Sequence, residues 1–167
     1  SVVKQIFRKF IWMMSPALRL CESWYNISRD LLYPTVWLWN FSSVYLSTEI
    51  ALKIHKNLSK DGSWADINYN DTKRSGWDPR LHPERILEMV KAFMSPGVEY
   101  YKSPALEKTI HSAMDYWFKA GLKCSNWYYN EIGVPRTLGT AFILFDEYLT
   151  ADERVNAVRI MENSNLE

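Results

Sequence analysis

The residues best suited to chemistry form one short segment, Asn126-Trp127-Tyr128-Tyr129-Asn130. Three consecutive rings cannot all face one core, so at least one should face solvent or a cleft if the segment is irregular. Flat, amphipathic rings pack against the C–H faces of sugars, and the amides of Asn126 and Asn130 offer donors and acceptors to hydroxyl groups. The segment therefore predicts a sugar-binding surface at Asn126, Trp127, Tyr128 and Asn130. The residues leave a second interpretation open, in which the rings hold two helices together and the amides cap them.

Acidic residues upstream of this segment give weaker signals. The pattern Asp66-x-Asn68-x-Asn70 imitates the start of a calcium-binding loop, but Asp71 stands where that loop needs glycine and Trp77 where it needs glutamate. Asp61 and Asp66 could act as the carboxylate pair of a glycosidase. Both lie in a turn-rich stretch, however, where carboxylates usually cap turns. We therefore predict no metal site and no cofactor, and we do not assign Asp61 or Asp66 to catalysis.

The three histidines are not assigned to a reaction either. His82 precedes Pro83, which indicates a helix-capping or loop role. His111 follows the apolar position Ile110, so it should be a surface or packed histidine of a helix. His55 lies near the end of its predicted helix, where a partly positive imidazole suits the helix dipole.

Composition excludes several classes of protein. A length of 167 residues suits one domain with a substantial core, and a net charge of +1 argues against a nucleic-acid partner. Eight Trp, ten Tyr and seven Phe exceed what a small core needs, so some rings should be exposed. The longest uncharged run, Leu31–Thr48, contains Pro34 and Asn40, so no membrane span is predicted. Cys21 and Cys124 are too few for a disulfide framework.

Capping residues, prolines and glycines mark the helices that must position the candidate surface. Ser103-Pro104 predicts a helix start with a capping hydroxyl, and Thr150 to Glu153 fits a capping box. Ser95-Pro96-Gly97 and Gly121 predict helix ends. Pro135 should open the helix that follows the aromatic segment.

The apolar residues between these marks recur at helical spacing, and no stretch alternates as a strand would. Thr35 to Asn57 is apolar on more than one side and predicts an inner helix. The sequence thus predicts an all-α fold of antiparallel helical hairpins in a single domain over residues 1–167. Residues 59–80 are too long and turn-rich for a simple connector and predict a functional loop, and residues 166–167 resemble a tag remnant. Three apolar stripes are expected to be buried: Ile86, Leu87, Val90 and Phe93; Leu106, Ile110, Met114 and Trp117; Leu138, Ala141, Phe142, Phe145 and Leu149.

Two runs of the sequence resemble polysaccharide lyase family 8, which includes chondroitin AC, hyaluronate and xanthan lyases. NWYYNEIGVPRTL, residues 126–138, is similar to the NWW-x-x-[EQ]-IG-x-P segment of that family. Residues 61–86, DGSWADINYNDTKRSGWDPRLHPERI, are similar to its DGSW-x-DI-x-Y-x-D stretch and the His-x-x-Arg helix start after it. The resemblance covers residues 50–150 and implies the N-terminal part of an (α/α) toroid in a secreted or periplasmic bacterial enzyme.

The resemblance also implies a role for the aromatic segment. Family members cleave uronic-acid-containing polysaccharides by β-elimination, and an aromatic patch, here Asn126, Trp127 and Tyr128, guides the polymer. Tyr128 replaces the usual second Trp, which reduces the stacking area and adds a hydroxyl. The family's catalytic groups come from later helices, so this chain alone is expected to bind an anionic polysaccharide of glycosaminoglycan or xanthan type, to be inactive and to self-associate. Two alternatives remain: an all-α scaffold or protein-interaction module, and an unrelated lyase or hydrolase with its site in the loop at 59–80.

Overall fold

A computed structural model describes residues 51, 53–97 and 99–164 of the protein. Cys21, most of the helix predicted from Thr35 to Asn57 and the terminal pair at 166–167 lie outside these ranges. No helix of the described ranges is both long and apolar enough to cross a membrane.

Four α-helices lie wholly within the described residues and account for about half of them. Helix α1 spans Leu81–Met94, α2 Pro104–Ala120, α3 Val134–Leu144 and α4 Ala151–Glu162. Helix α1 packs against both α2 and α3, while α4 packs against α3 and α2. In the ranges that the structure describes, the only β pairing is a single bridge between Leu58 and Trp64. The predicted all-α class is therefore confirmed.

Helix boundaries fall where local chemistry predicts them. The capping box of α4 is complete, because the Glu153 amide donates to Thr150 Oγ1 at 3.2 Å and the Thr150 amide donates to Glu153 Oε2 at 2.8 Å. Helix α1 ends before Ser95, and α2 is followed by Gly121 as its C-cap, with a left-handed φ of 57°. Helix α2 begins at Pro104 as predicted, but the hydroxyl of Ser103 makes no capping bond, so that detail of the prediction is wrong.

The core lies between the helices and contains nearly all of the predicted stripes. The second and third stripes are buried throughout. In the first stripe, Ile86, Val90 and Phe93 are fully buried, whereas Leu87 is only half-buried at the edge of the core. The helical period therefore identified the buried faces and missed only the edge of one of them.

Residues 59–80 form an ordered loop that packs on the helices. Its apolar side chains Trp64, Ile67 and Trp77 are buried in the same core as the helix stripes. A 3-10 turn, Asp78–Arg80, then leads directly into α1. Because the loop is anchored by three large apolar side chains, it can hold its polar residues in fixed positions.

Candidate functional site

The aromatic segment is helical. Residues 127–128 are already helical, a π-helical turn follows at Tyr129–Gly133, and α3 continues without a break. Pro135 is the second residue of α3 and brings no amide hydrogen, so a regular helix would leave the carbonyl of Glu131 unpaired and close to the proline ring. The wider π-helical turn gives room for this proline. Pro135 thus lies in the first turn of α3, but it does not open a new helix as predicted, because the preceding rings already stand on a continuous helix.

Two of the three consecutive rings face solvent. Trp127 is 57% exposed and Tyr128 is 45% exposed, whereas Tyr129 is half-buried against the core. The rings of Trp127 and Tyr128 meet edge to face, with centroids 6.3 Å apart and an interplanar angle of 76°. We call this exposed pair the aromatic platform. The expectation that the three rings do not share one core is confirmed.

The aromatic platform is connected to the core through a series of ring contacts. The Tyr128 and Tyr129 centroids are 5.9 Å apart, and those of Tyr129 and Trp77 are 5.8 Å apart. Trp77 in turn lies 6.4 Å from Trp117 of α2 and donates its indole N–H to the carbonyl of Asp71 at 3.0 Å. The exposed pair is therefore supported from below by buried rings, which limits its motion.

The two asparagines of the segment are hydrogen-bonded within the fold. Asn126 Oδ1 accepts from the Tyr128 amide at 3.1 Å, while Nδ2 donates to the carbonyl of Arg74 at 3.0 Å. Asn130 is bonded at both ends to the backbone of Cys124, accepting at 2.9 Å and donating at 2.7 Å. Each amide side chain keeps one hydrogen and one lone pair beyond these bonds. Asn126 thus helps to position the aromatic platform, Asn130 connects the segment to Cys124, and a contact of either with sugar remains a prediction.

The loop at 59–80 reaches the aromatic segment at Lys73 and Arg74, which sequence reasoning did not single out. Besides the bond from Asn126 to Arg74, the thiol of Cys124 lies 3.6 Å from the carbonyl of Lys73. Both side chains, Lys73 and Arg74, are exposed. The lysine-arginine pair in the run DTKRSGW was the available signal, but its proximity to residues 124–126 depends on how the loop folds.

His82 is a buried core residue, so the predicted capping or loop role is wrong. It lies in the first turn of α1, and Nε2 must carry hydrogen because its partner at 2.8 Å is the carbonyl of Ala113. Nδ1 therefore accepts from the hydroxyl of Tyr69 at 2.9 Å, and that hydroxyl accepts from the Trp64 amide at 3.0 Å. Burial lowers the pKa of His82 to about 4 and raises that of Tyr69 to about 12, so both stay neutral.

The other two histidines also bond within the fold. His111 on α2 is partly buried, as predicted, and its Nδ1 lies 2.7 Å from the carboxylate of Glu153 on α4. The hydrogen bond to Glu153 raises the pKa of His111. Burial alone would raise the pKa of Glu153, but the bonds from His111 and Thr150 outweigh it and lower that pKa. His55 lies 2.7 Å from Thr109 Oγ1, and it is the donor because that hydroxyl donates to the Ala105 carbonyl.

The acidic residues of the loop at 59–80 support its structure. Asp61 accepts from the amide and the hydroxyl of Ser63 at 3.0 and 2.7 Å, and these bonds lower its pKa. Asp66 forms a bidentate pair with Arg85 at 2.8 and 2.6 Å, and the guanidinium lowers the pKa of that carboxyl. Asn68 Oδ1 accepts from the Asn70 amide. The described residues contain no group of three or more His, Cys, Asp or Glu arranged to hold a metal ion.

Known proteins are similar to this chain in both sequence and fold. A sequence model described as polysaccharide lyase family 8, N-terminal alpha-helical domain, matches residues 46–165. Chondroitinase-AC of Pedobacter heparinus is 29% identical over 135 residues, which make up 81% of this chain and 19% of that protein.

Two solved structures have the same helical fold. One is a structure of chondroitinase AC lyase from work on enzyme–oligosaccharide complexes, with a TM-score of 0.68 and 23% sequence identity. The match covers 99% of this chain and 21% of the chondroitinase chain. The other is a xanthan lyase structure from Paenibacillus, with a TM-score of 0.60 and 20% sequence identity. The match covers 71% of this chain and 12% of the xanthan lyase chain. The prediction of a part of a larger helical toroid is confirmed by this likeness. The chain spans about a fifth or less of the length of these relatives.

Proposed function

Because this chain belongs to polysaccharide lyase family 8, as part of its N-terminal α-helical domain, we propose that it forms one wall of the substrate cleft of such a lyase. The enzyme cleaves a uronic-acid-containing polysaccharide by β-elimination, and this chain contributes binding. We assign none of its residues to proton transfer, since His55, His82 and His111 are hydrogen-bonded within the fold. The groups that neutralise the carboxylate and remove the C5 proton belong to other parts of the enzyme.

The observation that carries this proposal is the exposure of Trp127 and Tyr128 on a rigid support. Large rings are costly to leave in water, and here two of them stand side by side while Tyr129 and Trp77 fill the core below. A sugar ring packs its C–H face on such a surface, and the hydroxyl of Tyr128 adds a polar contact. Asn126 and Asn130 each keep a donor and an acceptor for sugar hydroxyls.

The proposed substrate is an anionic polysaccharide of glycosaminoglycan or xanthan type. This class is taken from the relatives, whose names are chondroitinase AC and xanthan lyase. Polymers of this kind lie outside the cell, so we place the enzyme in the periplasm or the medium of a bacterium.

Binding should be lost when the aromatic platform is removed. We expect the chain to bind at least one of chondroitin, hyaluronan and xanthan fragments in isothermal titration calorimetry, with a change in Trp fluorescence. Trp127→Ala and Tyr128→Ala should each weaken binding at least about tenfold, which corresponds to about 1.4 kcal/mol. No unsaturated uronate should appear in the same samples, because we assign no proton-transfer group to this chain.

Tyr101→Ala provides the matched control. Tyr101 is also an exposed ring, at 41%, but it lies in the turn between α1 and α2, away from the aromatic segment. Its removal should leave binding unchanged. If no polymer binds the unmodified chain, the carbohydrate function is wrong and a scaffold or protein-interaction role is favoured.

A further inference from the structure

Two cationic residues lie beside the aromatic platform on the neighbouring loop. The carbonyl oxygen of Arg74 accepts from Asn126 at 3.0 Å, and that of Lys73 lies 3.6 Å from the thiol of Cys124. Asn126 directly precedes Trp127 in the chain. These contacts use only backbone atoms of Lys73 and Arg74, so their long side chains stay exposed. The backbone of both cationic residues is thereby held next to the segment that leads into the exposed rings.

The two acidic groups in the second half of the same loop, Asp71 and Asp78, accept hydrogen bonds from its backbone. Asp71 accepts from the amides of Lys73 and Asp78 at 3.0 and 2.9 Å, and these bonds lower the pKa of its carboxyl. Asp78 accepts from the Asn68 amide at 2.6 Å. Both carboxylates are half-buried, whereas Lys73 and Arg74 are exposed and form no ion pair within 4.0 Å in the described chain. The charge of Lys73 still contributes to the lowered pKa of Asp71. The outward-facing charge of the loop beside the rings is therefore positive.

We propose that Lys73 and Arg74 form a cationic rim that binds the carboxylate or sulfate groups of a polysaccharide lying on Trp127 and Tyr128. This inference rests on the function proposed above and assigns its charge selectivity to two residues. A guanidinium matches the planar geometry of a carboxylate and forms two parallel hydrogen bonds, while an ammonium acts as a point charge. The rings bind any sugar face, and the cationic rim selects polymers whose neighbouring residues carry acid groups.

A comparison of charged and neutral polymer tests the cationic rim. The probes are unsulfated chondroitin and its carboxyl-reduced form, which has the same backbone without charge. In the full chain, Lys73→Gln/Arg74→Gln should weaken binding of chondroitin about three- to tenfold and make it less sensitive to salt. Binding of the carboxyl-reduced polymer should not change. Because the contacts with Asn126 and Cys124 use backbone carbonyls, the double variant retains them.

Lys108→Gln/Arg159→Gln is the matched control, since it removes the same two charge types from exposed positions on α2 and α4. It should leave both affinities unchanged. If Trp127→Ala abolishes chondroitin binding while Lys73→Gln/Arg74→Gln binds and responds to salt as the unmodified chain does, the cationic rim is wrong and the platform stands. Equal losses in the two double variants would show a general charge effect and also overturn the proposal. If the unmodified chain binds neither form of chondroitin, the cationic rim is contradicted. If it also fails to bind hyaluronan and xanthan, the aromatic platform is contradicted as well.

Discussion

At the scale of single residues, His82 shows how a buried polar group is accommodated. Its ring stacks on Tyr116 and Trp117 with centroids 5.5 Å away in both cases, and both ring nitrogens are hydrogen-bonded. The neutral form satisfies Tyr69 as a donor and Ala113 as an acceptor. Protonation would place a second donor against the Tyr69 hydroxyl and a charge in the core, and both effects are unfavourable.

The neutrality of His82 predicts a loss of stability in mild acid. Because its folded pKa of about 4 lies below the unfolded value of 6.5, the unfolded chain alone binds a proton as the pH falls below 6.5. His82 alone should therefore lower the free energy of unfolding by about 1.5 kcal/mol between pH 6.5 and pH 5, and His111 offsets part of this fall. Urea denaturation across this range measures it.

Variants of the two histidines separate their contributions. The pKa of His111 is raised, so its contribution has the opposite sign: it is present below pH 6.5 and lost as the pH rises. In His111→Gln, the free energy of unfolding should still fall as the pH is lowered. His82→Gln can still donate to Ala113; it should be less stable overall, and its free energy of unfolding should hardly change with pH. Equal slopes in His82→Gln and the unmodified chain would contradict a neutral buried His82.

Sequence patterns predicted residues of the aromatic segment better than they predicted His82. That at least one ring of this segment is exposed follows from local chemistry, because three consecutive large rings cannot share one core; that Trp127 and Tyr128 are the exposed ones depends on the helix that carries them. The environment of His82 depends on Tyr69 and Ala113, which lie 13 and 31 positions away. Nothing in the adjacent residues indicates such contacts, and Pro83 favoured a capping interpretation that is wrong.

At the scale of elements, the loop at 59–80 is held against α2 by a close backbone approach. Gly62 has φ of +89°, and a Cβ built there would lie 2.1 Å from the Ser112 carbonyl oxygen. Gly76 in the same loop has φ of +66°, but its Cβ would meet nothing within 4 Å. Both positions favour glycine for their backbone angle, and only Gly62 also needs the absence of a side chain.

Alanine at these two glycines should therefore have unequal effects. Gly76→Ala places a Cβ on a left-handed backbone without any clash, so it should lower the free energy of unfolding by about 1 kcal/mol. Gly62→Ala must also move the loop from α2 and should cost at least about 2 kcal/mol more. Urea midpoints of the two variants give the comparison. Similar losses would show that the loop does not depend on this contact.

Helix boundaries were predictable from sequence because their signals are local. Pro104, Gly121 and the Thr150–Glu153 capping box mark the ends of α2 and the start of α4 as expected. The path of the loop was not predictable, since it depends on Trp64 and Trp77 entering a core built by distant helices. The same limit hid the contact between Arg74 and Asn126, 52 residues apart, on which the cationic rim depends.

At the scale of the whole molecule, the chain has the fold of part of a much larger helical protein. The solved relatives are about five or more times longer than this chain. On α4, Val155 is 59% exposed, although the opposite side of the helix buries Ala157 and Met161. Packing this valine against a second apolar surface would remove its side chain from water, which is favourable.

We therefore expect the chain to self-associate through α4 as its concentration rises. Val155→Lys should shift the equilibrium toward monomer, because dimerisation would then bury an ammonium without a partner. Ala151→Lys adds the same charge at the exposed first residue of α4 and should have a smaller effect, since it removes no large apolar group. Sedimentation equilibrium over a concentration series measures all three proteins. If the unmodified chain is a monomer at every concentration, α4 does not present an uncovered packing surface.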